Sequence, residues 1–170
     1  MIDWITVKPA ILAALVAASG IVANNVGWYD QSMPFNDFVL ARVKLKSVSG
    51  LGVDEPRYTD GQKLYYYGNR VIVITVYIDT LSQENGETSS YYIETLRTSL
   101  NKQGIKSLLR AVNVAYINMS ESVEGLFEDD GRVYSRASVN ITLATSVYYQ
   151  DTDSDVGDYI ATADIEGTVT

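Results

Sequence analysis

Val71-Ile-Val-Ile-Thr-Val-Tyr-Ile78 is the stretch that decides the fold. The run is almost continuously β-branched or aromatic and shows no helical stripe, so it predicts a central strand covered on both faces. Upstream, Phe38 to Ser47 alternates instead. Val39, Ala41, Val43 and Leu45 fall on one face, and Leu40, Arg42, Lys44 and Lys46 on the other, as in a strand with one face on a core. Downstream of the polar linker Ser82 to Glu87 come helix signals. Thr88 or Ser89 serves as the cap, Tyr92, Ile93, Leu96 and Leu100 recur at helical spacing, and Gly104 suits a terminator. A short helical turn at Ile105 to Arg110 then leads to a strand at Val112 to Asn118.

Farther out the same logic continues. Val133, Ser135, Ala137, Val139, Ile141 and Leu143 share one face of a long strand whose other face carries Arg136, Ser138, Asn140 and Thr142. That pattern predicts a half-exposed antiparallel strand. A last strand is expected at Tyr159 to Val169. Acidic loops are expected at 121–131 and 151–158, and an irregular run at 24–36 punctuated by Gly27 and Pro34. Residues 50–69 mix glycines, charges and Tyr65-Tyr66-Tyr67, and read as a long loop or β-excursion ending in a turn at Gly68-Asn69.

The N-terminal region, residues 1–23, predicts a docked helix. Pro9 suits its first turn, Gly20 suits its C-terminal cap, and Ile11, Leu12, Leu15 and Val16 form an apolar stripe among alanines. The competing reading is a signal peptide cut near Ala23, but Asp3 and the lone Lys8 make a poor basic leader. The apolar run is also shorter than the roughly 20 residues a membrane span takes. The order of elements gives a single α+β domain over residues 1–170, its largely antiparallel sheet packed by an N-terminal helix and a central amphipathic helix.

Composition narrows the chemistry. The 170 residues include no cysteine and no histidine, which leaves out thiolate zinc sites, disulfides, cysteine nucleophiles and the commonest general base. The net charge of −8 is segregated: residues 1–110 carry 11 Lys+Arg against 10 Asp+Glu, and residues 111–170 carry 2 against 11. Tight nucleic-acid binding needs a concentrated basic surface, so a sequence-reading DNA binder is disfavoured.

Asp151, Asp153 and Asp155 have the alternate spacing of a calcium loop. However, the glycine comes one place late at Gly157, and Thr162 stands where a bidentate glutamate belongs, so a solvated loop is the better reading. Glu128, Asp129 and Asp130 have no acid-base partner nearby in sequence. Gly50-Leu-Gly52 lacks the lysine and hydroxyl of a phosphate loop. No catalytic residue, cofactor or metal site is expected. The Arg42, Lys44, Lys46 stripe reads either as a solvated sheet face or as an interface on which an acidic loop of a neighbouring copy docks head to tail.

Taken together, the chain resembles the bacteriophage tail terminator family, in particular its neck terminator group. The residues carrying the resemblance are the apolar first helix, Trp28-Tyr-Asp-Gln31-Ser-Met-Pro34, Arg70-Val-Ile-Val-Ile-Thr-Val-Tyr77, the helix ending at Gly104, the strand opening at Arg132 to Arg136, and Ile165-Glu-Gly-Thr168. The resemblance implies a structural virion protein, assembled in the host cytoplasm and working as a homo-hexameric ring. It would cap the tail tube, meet the head connector or stopper protein (and the sheath if the tail contracts), and let DNA pass through its lumen without touching a membrane. On that reading Arg42, Lys44 and Lys46 would form the ring interface. Glu128, Asp129, Asp130 and the loop of Asp151, Asp153 and Asp155 would contact partners or line the lumen. The rivals are another connector or tail-tube subunit, a secreted or periplasmic binding module, and a hydrolase working by carboxylates alone.

Overall fold

The computed structural model describes residues 2–31, 39–58, 64–81, 88–129 and 132–150. The elements run α1 (Trp4–Ser19), a 3-10 turn (Ala23–Asn25), β1 (Val26–Trp28), β2 (Val39–Tyr58), β3 (Leu64–Leu81), α2 (Ser89–Ser99), α3 (Gln103–Arg110), β4 (Val114–Met119), β5 (Val123–Asp129) and β6 (Arg132–Gln150). They form one mixed, mostly antiparallel sheet in the order β1-β2-β3-β6-β4, with β5 also on β6. The α+β expectation holds. β1 is a short parallel strand beside Ala41 to Val43, inside the region expected to be irregular.

The helices cover one face. Ile72, Ile74, Val76 and Ile78 of β3 meet Val139, Ile141 and Leu143 of β6 and Ile93, Leu96 and Leu100 of the α2 region in one core. The opposite face of β3 is only half buried, so the expectation of a strand covered on both faces is corrected. Thr75 and Tyr77 interrupt the apolar run there, and no helix lies over them among the described residues. β6 alternates as expected and lies inside the sheet, between β3 and the β4–β5 edge.

α1 belongs to the core. Val7, Ile11, Ala14, Leu15 and Ala18 are all buried, and the helix meets α2 and α3. Asp3 caps it by accepting from the Ile5 N–H, and Gly20, at φ 76°, closes it by donating to the Val16 carbonyl. Pro9 sits inside the helix, past the first turn that suits it, because Asp3 starts the helix earlier. Cleavage near Ala23 would remove one wall of the core, which weighs against the signal-peptide reading.

Gly104 likewise does not end a helix. α2 stops at Ser99, and Gly104 lies in the first turn of α3, which is a full helix of two turns. The α3–β4 link is pinned to β6: Asn113, at φ 58°, accepts from the Thr145 hydroxyl at 2.8 Å and donates to the Ser146 carbonyl at 3.1 Å.

Replacing Ile11, 1% exposed, by alanine should cost about 2–5 kcal/mol. Replacing Ile5, 86% exposed, should change stability by no more than about 0.5 kcal/mol. Urea denaturation of the two variants checks whether α1 is structural.

Candidate assembly surface

The sheet face away from the helices is organised around a carboxylate. Asp79 is 2% exposed and lies across from Leu40 on β2 and Arg136 on β6. Arg136 grips it with Nε at 2.5 Å and a terminal nitrogen at 2.9 Å, and Arg42 adds a third bond at 2.7 Å. These bonds raise the Arg136 pKa above its ordinary value. Two aromatic rings roof the cluster. Tyr29 is tethered by its N–H to the Val43 carbonyl at 2.8 Å, its ring 6.1 Å from Tyr77 and 5.2 Å from the Arg42 guanidinium. One buried negative charge thus ties β2, β3 and β6 together.

A second feature projects from the core. Beyond Arg70, where β4 ends, strands β2, β3 and β6 continue as a three-stranded arm, about 17 Å long at the usual rise per residue. Tyr66 stacks on Tyr149 at 5.3 Å, Tyr67 on Tyr148 at 6.1 Å, and the Arg57 guanidinium lies 5.1 Å from the Tyr67 ring. The arm nevertheless leaves Leu51, Val53, Tyr58 and Tyr148 exposed, Val53 at 96%.

Two irregularities shape β2. An extra residue at Lys46 shifts the register, so that Lys44 pairs with Thr75 but Ser47 with Val73 and Ser49 with Val71. Even-numbered side chains hold the open face before the bulge, and odd-numbered ones hold it afterwards. Between Leu51 and Glu55 a wider bulge, with Gly52 at φ 79°, swings Asp54 over Gly68. There Asp54 forms a bidentate pair with Arg70, at 2.5 and 2.6 Å. A Cβ on Gly68 would collide with the Asp54 carboxylate. The Arg70 hydrogen bonds hold the Asp54 carboxyl below the usual aspartate range, against a smaller upward push from burial. Burial and the adjacent Asp54 push the Tyr149 hydroxyl up.

The expected site residues are dispersed by these facts. Arg42 is committed to Asp79, Lys44 is exposed with its ammonium 5.7 Å from the Tyr29 ring, and Lys46 is the bulged residue. The expected three-cation stripe is therefore broken: a buried acid occupies the first cation, and the extra residue ends the alternation. Glu128 and Asp129 are strand positions at the end of β5, paired in register with Val133 and Arg132, so most of the expected loop at 121–131 is hairpin strand. Asp130, Pro34, and Asp151, Asp153 and Asp155 with the expected final strand lie outside the described residues. Trp28 is buried in the core, and the Gln31 side chain accepts from its backbone N–H at 3.1 Å. Region 50–69 is a β-excursion for most of its length, and Gly68-Asn69 lies within β3 instead of at a turn.

The Asp79 cluster escaped the sequence reading, although a signal existed. Arg42 and Arg136 each fall on the polar face of an alternating strand, and Asp79 ends an apolar run between them. Among the described residues no trio of carboxylates is placed to hold a metal ion. A scan against protein-family models and a search of curated proteins found no match to this chain.

Asp79→Ala should destabilise the protein by about 3–5 kcal/mol, since it leaves two guanidiniums facing each other without their acid. Loss of either arginine alone should cost less; chemical denaturation measures all three. The folded Asp54 carboxyl titrates below its unfolded value. Its contribution is therefore complete above about pH 4 and lost as the pH falls through the lowered value. Amide exchange in the arm should accelerate in that acid window, and in Asp54→Asn the arm should exchange faster at neutral pH too.

Proposed function

We propose that this protein is a structural, non-enzymatic virion component, a bacteriophage tail (neck) terminator that closes the head-facing end of the tail tube as a ring of six copies. The observation that carries this reading is the β2–β3–β6 arm. It extends past the core and bares Leu51, Val53, Tyr58 and Tyr148, side chains that a single chain leaves in water and that association would cover. The segregated charge supports the same reading, since the exposed Lys44 and Lys46 of β2 and an acidic third of the chain suit head-to-tail contacts between copies. The acidic charge of residues 111–170 also suits a passage through which DNA must slide without adhering. Among the described residues, no helix is long and apolar enough to cross a membrane.

In this role one face of the ring meets the last ring of tube subunits and the other meets the head connector, with DNA passing through the centre. Native mass spectrometry at low and moderate salt should find a discrete hexamer, or a monomer that becomes one when tail tubes are added. A strict monomer that ignores tubes would sink the reading, and an open-ended filament would reassign the protein to the tube itself. Reversing two charges, Lys44→Glu with Lys46→Glu, should weaken the assembly most at low salt, where exposed charges are least screened. An oligomer unchanged by that pair would remove the two lysines from the interface.

A further inference from the structure

The sheet has two unpartnered edges among the described residues. β1 covers the outer side of β2 only at Ala41 to Val43, leaving the edge from Lys44 to Tyr58 open. On the far side, β4 and β5 lie end to end along β6. Ser120 splices them: its N–H donates to the Asn140 carbonyl at 2.9 Å, and its hydroxyl accepts from the Asn140 N–H at 3.1 Å. The second edge is therefore a nearly continuous strand from Val114 to Asp129. An open edge is a row of unpaired backbone donors and acceptors, a template for another strand.

We propose that the occupant of each edge is a second copy of this chain, with the β2 edge of one molecule adding to the β4–β5 edge of the next. The inference rests on the ring reading above and specifies its interface. Three observations select this partner. The edges are complementary in charge, since Lys44 and Lys46 stand along one, and Glu121 and Glu124 along the other. Both carry exposed apolar side chains, Leu45, Val48 and Leu51 against Ile117, Val123 and Leu126. The third is direction. β2, β3, β6 and the β4–β5 edge alternate in direction, so the two edges of one sheet run opposite ways. A neighbour related by rotation about an axis along the strands then meets its partner antiparallel, and the ladder continues without a change of pattern. The open part of β2 is also displaced along the strands relative to β5, and closing a tilted sheet requires such a stagger.

The absence of cysteine makes the test clean. Ser49→Cys on β2 and Ala115→Cys on β4 lie on the open face, as do Ser47→Cys and Val123→Cys. Within one molecule the two edges are three strand spacings apart, about 14 Å, too far for a disulfide. Mixing a β2 variant with a β4–β5 variant under mild oxidation should give mixed dimers well above what either forms alone. A chain carrying both substitutions should give a covalent ladder ending at the ring. If native mass still shows a ring but no mixed pair exceeds its single-variant controls, the interface lies elsewhere and this inference falls while the ring reading stands. A strict monomer without cross-links would overturn both.

Discussion

The pairing of β3 with β6 runs unbroken from Tyr65 opposite Gln150 to Leu81 opposite Tyr134, and every other part of the molecule is placed relative to it. A slip of β3 by one residue against β6 would exchange the two faces of β3. Ile72, Ile74, Val76 and Ile78 would leave the helices, and Asp79 would enter the apolar core. The alternation of β6 and the β-branched run of β3 fix this register from the core side. The bond between Asp79 and Arg136 fixes it from the other side, because only the observed register puts the two opposite each other. Apolar burial and a single charge cluster therefore enforce the same alignment from opposite faces.

Asp79 also explains why the open face is not simply a second apolar layer. A buried carboxylate is tolerated when several donors replace its water, and Arg136 and Arg42 supply three bonds. Replacing the trio with apolar residues could match its stability, but would leave a greasy sheet surface with no helix over it among the described residues. Guanidiniums under tyrosine rings keep this face polar while holding three strands in place.

Where the chain alternates or carries a clear cap, the fold was legible. β6, the first part of β2, the α2 cap at Thr88 and the Gly20 stop of α1 follow from local rules that hold whatever the rest of the chain does. The arm was not legible, because its strands draw their regularity from each other. Tyr66 and Tyr67 become strand residues by stacking on Tyr149 and Tyr148, some eighty positions away. Gly68 reads locally as a turn residue, yet its use is to leave room for a carboxylate carried on another strand. Pro9 misled because the Asp3 cap starts α1 earlier, and Gly104 because α2 already stops at Ser99 and a new helix begins at Gln103. The break in the basic stripe was not legible because spacing cannot reveal a bulge, and the residue inserted at Lys46 is invisible until the partner strand is placed.

The unbroken β3–β6 ladder has a mechanical consequence. Its hydrogen bonds lie across the strands, so a pull on the arm tip directed along them loads the bonds together in shear and does not peel them one by one. Force applied at the tip is thus delivered to the sheet beneath the helices, with the two bulges of β2 as the compliant points beside a stiff pair of strands. The arm behaves as a lever rooted in the core, and tension along it is borne by the molecule as a whole.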